Sequence, residues 1–571
     1  MSSGVYALLI VFAAVLLLMA VVIVRSRREQ KKTFMKNAAD SWGSSLPRLY
    51  LSEQIRGLRK YADAKELYPG TERPERSAAD PITEEDLQLV QIFGRISRCM
   101  SQPGEEVLFD WLLHPETQKE ELEHRIGLQE YFAAHQEERL RVQESLYEMK
   151  RLRNGSYYGA LSSLGKAKRI GRTRYVLLAC STLIVLGLFA VNPLLAVLLL
   201  IPDFFIHISV HLRMKKKTQK SLEAFRCLLS LLYAGAGIEK LHIAELAAEN
   251  RQIAEASASF AAFRRSAALV VTGDSVGTGL GDAVLEYVKM FLHIDLICYD
   301  RMMRDVQDCG KEAVQLFTVL GTVDAAISAA SFKESLQVSC RPSFEENGGQ
   351  AELMIRNLYH PLLRDPVPNK LRSEKSILLT GSNASGKSTF LRGAALAALL
   401  AQSVGVVPAE EYRAPLFRIF TSMALKDNLL AGQSYFVVEI ASLKRIADAA
   451  ESDESPVLAV VDEVLRGTNT IERIAASAEI LKSLSRPHVL VLAATHDVEL
   501  TELLKHDYRN MHFGEEVVDG DVHFDYLLKE GKADSRNAIR LLRAAGFPEE
   551  TADAADACAS HFEQTGEWTL Q

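Results

Sequence analysis

The sequence predicts a chain of mixed class. An α/β domain built on a parallel sheet lies toward the C-terminus, an all-α domain precedes it, and apolar helices of membrane-spanning length are added to both. Three observations predict this. Between about residues 350 and 525, short apolar runs of strand length alternate with helical patterns, as in a parallel sheet with crossover helices. From about 80 to 165, and again from about 218 to 332, apolar residues recur at helical spacing, among charged stretches such as QKEELEHRIGLQEYF. Two stretches, Val5–Val24 and Tyr175–Leu212, are almost free of charge, and about 20 apolar residues suffice to cross a bilayer.

The expected order is an N-terminal anchor (1–32), a linker (33–79), a first helical block (80–165), a membrane hairpin (166–217), a second helical block (218–340), the α/β domain (350–525) and a helical tail (526–571). A chain of 571 residues is too long for one ordinary core. Its 48% hydrophobic and 24% charged content is that of a globular protein with room for a few spans. A net charge of −7 argues against a surface coated in nucleic acid. The seven cysteines are odd in number and scattered, with no CxxC pair. They read as reduced thiols, with no structural metal.

Val5–Val24 has no basic residue before it, whereas Arg25, Arg27, Arg28, Lys31 and Lys32 follow it. It therefore reads as an uncleaved anchor with its N-terminus outside and the rest of the chain in the cytoplasm. As one straight helix Tyr175–Leu212 would be roughly 57 Å long, too long for a bilayer, and Asn192-Pro193 interrupts it. Basic clusters flank it on both sides: Lys166, Lys168, Arg169, Arg172 and Arg174 before, Arg213, Lys215, Lys216 and Lys217 after. Both flanks prefer the cytoplasm, so the expectation is a hairpin of two short spans, Tyr175–Val191 and Leu194–Val210, in contact with lipid. Asp203 and His207 lie in its second leg with no partner visible. They read as interfacial or as functional within the membrane. The Gly-rich stretch GDSVGTGLGD (273–282) lacks dinucleotide-binding spacing and reads as a turn.

The α/β region carries chemistry. Ser376–Thr380 is a short apolar strand, Gly381–Ser388 fits G-x-x-x-x-G-K-S, and a helical run follows from Phe390. This strand–loop–helix context makes a P-loop. Gly381 and Gly386 let backbone amides face phosphate. Lys387 neutralises the β- and γ-oxygens, the Ser388 hydroxyl ligates Mg²⁺, and Thr389 sits at the helix start. VLAVVDEV (457–464) is a buried strand ending in two acids. Asp462 can hold Mg²⁺ through water and Glu463 can act as general base. A further strand, HVLVLAAT, ends at His496. There it either contacts the γ-phosphate or is simply solvated. ATP and Mg²⁺ are the cofactors these residues imply.

The segments TGSNASGKSTFLR, MALKDNLLAGQSYFVVEI, VVDEVLRGTNT and AATHDVEL resemble, in order and spacing, the ATPase domain of the MutS family, ABC-type ATPases that work on DNA mismatches or other DNA structures. The resemblance covers about residues 350–550. It extends more weakly over 82–165, where SQPGEEVLFDWLLHPE resembles the family's helical core. It implies a P-loop ATPase fold, ATP hydrolysis and a homodimer. Asn383 would be the P-loop asparagine, His496 the switch histidine, and Ser434 would reach the partner's nucleotide. Tyr359–Leu363 would lie near the adenine, and 534–555 would match the segment after the ATPase.

There are departures. Nothing before residue 80 resembles a mismatch-reading domain. The hairpin stands where the family inserts its DNA clamp, and Leu465 stands where the family has glycine. The expectation is thus a membrane-anchored ATPase that binds DNA, if at all, without mismatch preference. The alternatives are an ABC-type ATPase driving an envelope or transport process, and a scaffold switched by ATP.

Overall fold

The computed structural model describes residues 18–569 except 19–20, 23–24, 27, 74–75, 150, 153–154, 271–287, 289, 346–348, 383–384, 424–434, 453–454, 467, 519–520, 534–538, 540–541 and 544–545. The expected anchor Val5–Val24 lies outside the described residues apart from 18, 21 and 22, and the turn 273–282 lies wholly outside them. Two compact units are present, one of residues 1–75, 96–110 and 127–335, the other of 76–95, 111–126 and 336–571.

The first unit is helical apart from a two-stranded ribbon, Glu66–Tyr68 with Thr71–Glu72. Four of its helices matter below: α1 (Arg172–Leu188), α2 (Pro193–Glu239), α3 (Ile294–Asp308) and α4 (Gly310–Glu334). Asn192 caps α2 by accepting from the Leu195 amide at 3.1 Å, and Pro193 takes the first helical position. A missing N–H costs nothing there. The dipeptide that interrupts the apolar run is therefore the one that starts the second leg. That leg does not stop near Val210. The helix is 47 residues long in all, ending at Glu239, and its C-terminal part buries Phe225, Leu228, Leu231 and Leu232 in the unit's core.

By length and composition alone, Pro193–Met214, Lys217–Glu239 and Gly310–Glu334 could each cross a membrane. Burial separates them. The last is 83% buried inside the protein, whereas the first is only 17% buried and exposes Leu194, Leu198 and Phe205. Within α4, the fully buried Asp324 carboxylate accepts from the Met100 amide (3.0 Å), the Ser101 amide (2.7 Å) and the Ser101 hydroxyl (2.5 Å). These bonds compensate its burial.

The second unit holds a six-stranded sheet. Its strands are β1 (Ile377–Thr380), β2 (Arg418–Ser422), β3 (Val457–Asp462), β4 (Val489–Ala494), β5 (Arg509–Val518) and β6 (Asp521–Glu530), in spatial order β6-β5-β1-β4-β3-β2. Only the β5–β6 pairing is antiparallel. Every residue of β1, β3 and β4 is buried, as in a parallel sheet covered on both faces. Helix α5 (Lys387–Ser403), almost wholly buried, follows β1; α6 (Tyr435–Glu451) precedes β3; and α7 (Thr470–Leu484) follows it. The short helix Pro81–Asp86 covers the edge strand β2. There Asp86 Oδ2 accepts from the Thr421 hydroxyl (2.7 Å) and the Met423 amide (2.9 Å). A second sheet joins Ser343–Phe344, Glu411–Ala414, Leu353–Leu358 and Asn369–Ser373.

Candidate functional site

Strand β1 lies between β4 and β5, and the chain enters β4 and β5 from elsewhere in the fold. Ligands of open α/β sheets gather beyond the C-terminal ends of the strands at such a point. Three segments end there: the loop after β1, the acid pair after β3 and His496 after β4. Parallel pairing aligns them, with Ala494 opposite Asp462 and also opposite Leu379.

The loop turns at Gly381, with φ of +141°. A Cβ there would stand 2.8 Å from the Phe513 carbonyl oxygen, so both conformation and space require glycine. Gly386, at φ +106°, opens α5. Lys387 folds back, and its Nζ donates to the carbonyls of Gly381 and Ser382, each at 2.7 Å. Asn383 and Ser434 lie outside the described residues.

Asp462 is buried at the end of β3. Glu463 adopts φ +62°, and its amide donates to the Ala494 carbonyl at 3.0 Å. The strand thus ends on a left-handed residue that re-aims the second acid. Glu463 Oε1 lies 2.8 Å from His496 Nε2, and Oε2 is paired with Arg466. Burial acts to raise this carboxyl. The hydrogen bond to His496 and the cations of Arg466 and Lys387 outweigh it and hold Glu463 below its ordinary value. Glu439 on α6 accepts from the Arg466 amide at 3.3 Å. Arg473 on α7 grips Asp497, next to His496, through two bonds of 2.9 and 2.6 Å.

A cavity of about 420 Å³ opens beside the loop. Gly386, Lys387, Ser388, Thr389 and Glu463 line one side of it; Tyr359, His360, Leu363, Asn369, Phe513 and Tyr526 line the other. Burial pushes His360 down to about 4, so it is neutral at physiological pH. Asn369 fixes the far wall by donating to the Tyr526 carbonyl (2.9 Å) and accepting from the Leu528 amide (2.7 Å). The arrangement offers a cation and hydroxyls for phosphate, hard oxygen donors at Ser388 and Asp462 that suit Mg²⁺, and a partly apolar chamber for a ring.

Of the expected residues, the cavity gathers Gly386, Lys387, Ser388, Thr389 and Glu463. His496 is joined to them through Glu463. Sequence reasoning missed Arg466, Asn369, Phe513 and Tyr526. Arg466 is visible in VVDEVLRGTNT, three residues past Glu463. The other three carry no spacing signal, because distant strands bring them in.

Comparison with known proteins agrees with this geometry. Residues 377–563 match the family description MutS domain V. The chain is similar to the DNA mismatch repair protein MutS of Thermus thermophilus, 34% identical over 236 residues that cover 40% of this chain and 28% of that protein. Its counterpart in Lactobacillus delbrueckii subsp. bulgaricus is 32% identical over 276 residues, 46% of this chain and 30% of that protein. The one in Staphylococcus aureus is 27% identical over 299 residues, 50% and 34%. The match thus spans about a third or less of these curated relatives. Over residues 377–563 the chain is thus similar to domain V of the MutS family.

Proposed function

We propose that this chain is a Mg²⁺-dependent ATPase anchored in the cell membrane, with its α/β domain in the cytoplasm and its nucleotide sites completed across a homodimer. The supporting observation is the meeting, in one cavity, of Lys387, Ser388 and Glu463, with His496 on the Glu463 carboxylate. Lys387 and the loop amides from Gly381 to Thr389, Asn383 included, bind the triphosphate. Ser388 and Asp462 would hold the metal, which would supply positive charge to offset that of the phosphates. Glu463 accepts a proton from the attacking water, and His496 orients that carboxylate and senses the γ-phosphate. Both Glu463 oxygens are already engaged, so accepting a proton requires the Arg466 or the His496 contact to loosen. The base lies between the loop and Phe513 or Tyr526. Ser434 of the second chain completes the site.

DNA is a ligand of the relatives by name; for this chain we propose contacts without mismatch preference. A second reading, an ABC-type ATPase driving a membrane process, is favoured by the exposed apolar length of Pro193–Met214.

The test is Glu463→Gln in the full chain. It retains nucleotide binding while turnover falls by about 10²–10⁴-fold, the usual contribution of a general base. Normal turnover would exclude this assignment. Adding matched or mismatched duplex to the wild type separates the two readings, because a membrane process leaves the rate unchanged.

A further inference from the structure

The two legs of the hairpin enclose a polar cluster that the ATPase does not use. Asp203 and His207 lie one turn apart on α2 and face α1. Asp203 accepts from the Ser181 hydroxyl through Oδ1 and from the Thr182 hydroxyl through Oδ2, both at 3.1 Å. His207 Nε2 lies 2.9 Å from Thr182 Oγ1 and 3.4 Å from Asp203 Oδ1. With the Thr182 proton directed at Asp203, Nε2 carries the imidazole hydrogen, and Nδ1 is left with its lone pair. That Nδ1 is buried and has no hydrogen-bond partner among the described residues. His293, just before α3, stacks on His207 with centroids 4.7 Å apart and planes 17° apart. It too is fully buried, and neither of its ring nitrogens has a partner among the described residues.

Buried nitrogens without partners are costly and call for an explanation. Nitrogen and carboxylate donors would suit a metal ion, yet among the described residues no three such side chains converge to hold one. Two parallel rings also cannot aim in-plane lone pairs at a common point. The remaining ligand that this chemistry fits is a proton. We propose that His207, with Asp203 as its counter-ion, is a proton-binding site inside the hairpin, the proton entering at Nδ1.

The surroundings select His207 over its neighbour. The other titratable groups facing the pair are His211 on α2, which lies 3.9 Å from Asp295 on α3, and Tyr175 on α1, whose ring meets His293 edge-on. Burial, and then His207 and His211, push His293 down to about 4, so it is a neutral stacking partner. An ionisable pair enclosed by apolar helices is a functional site far more often than a packing accident. Helix α2 is continuous from this site into the core at Phe225 and Leu228. This inference does not depend on the ATPase reading.

The test is ¹⁵N-histidine NMR of the full chain in lipid nanodiscs, scanned from pH 8.5 to 4.5. The expected result is a buried imidazole whose Nδ1 takes up a proton during the scan, with the signal absent in His207→Gln. In Asp203→Asn the midpoint falls by at least one pH unit, a tenfold loss of proton affinity. His293→Phe keeps a stacked ring without nitrogens and retains the titration. An Nδ1 that stays unprotonated throughout, an unchanged midpoint in Asp203→Asn, or loss of the titrating signal in His293→Phe would each overturn the proposal.

Discussion

Glu463 is the residue on which the proposed chemistry turns, and its surroundings make a specific claim about pH. Its folded-state value lies below the ordinary one, so the carboxylate is ionised at physiological pH. The stability it contributes is present above the ordinary carboxyl range, near 4.3, and is lost as pH falls through the lowered value. Arg466 supplies part of that depression. Removing it by Arg466→Ala lets the carboxyl rise, which moves the acid limb of turnover to higher pH. Arg466 is two-fifths exposed and solvent screens the pair, which limits the shift. A kcat profile extended down through the ordinary carboxyl range, to about pH 3.5, checks this. An acid limb that does not move would remove Arg466 from control of the base.

At the scale of the element, the turn from β3 to α7 contains an apparent conflict. Leu465 adopts φ +59° at the position where the family has glycine, and a left-handed leucine costs about 1–2 kcal/mol. Yet Leu465 is buried in the cluster of Leu443, Ile446, Leu481 and Leu500. Truncating a buried leucine to alanine costs about 2–5 kcal/mol, and glycine adds about 0.5–1 kcal/mol of backbone entropy. Packing therefore outweighs strain. Leu465→Gly should destabilise the sheet by about 0.5–5 kcal/mol, even though it introduces the residue that the resemblance implies. Hydrogen exchange of the β3 amides in the full chain measures it, and slower exchange in the variant would show that strain dominates.

At the scale of the molecule, topology decides on which side of a membrane the α/β domain would lie. The basic flanks 166–174 and 213–217 lie on the outer sides of α1 and of the apolar part of α2. The legs meet through Ser181 and Thr182 against Asp203 and His207, which fits two legs that return to one side. Reporter fusions after Lys32, Lys168 and Lys217 should all read cytoplasmic. An external signal at Lys217 would mean a single crossing and would place the α/β domain away from its ATP.

What the sequence determined by itself is local and periodic. The P-loop, the acid pair and His496 each sit at the end of a strand whose continuous apolar run is readable, because a parallel strand buried on both faces leaves no polar alternation. The break at Asn192-Pro193 is readable for a similar reason, since a capping side chain and a residue without an N–H act on their immediate neighbours alone. Only the tertiary structure decided the rest. Arg466 on Glu463, Asn369 bonded to the Tyr526 loop, and His293 stacked on His207 join residues whose proximity depends on strand order and helix packing. Asp203 and His207 show the difference most sharply. Read along the chain they are two polar residues stranded in an apolar run. Their partners lie about twenty residues back on the other leg, and the burial that makes them a pair exists only once the legs close.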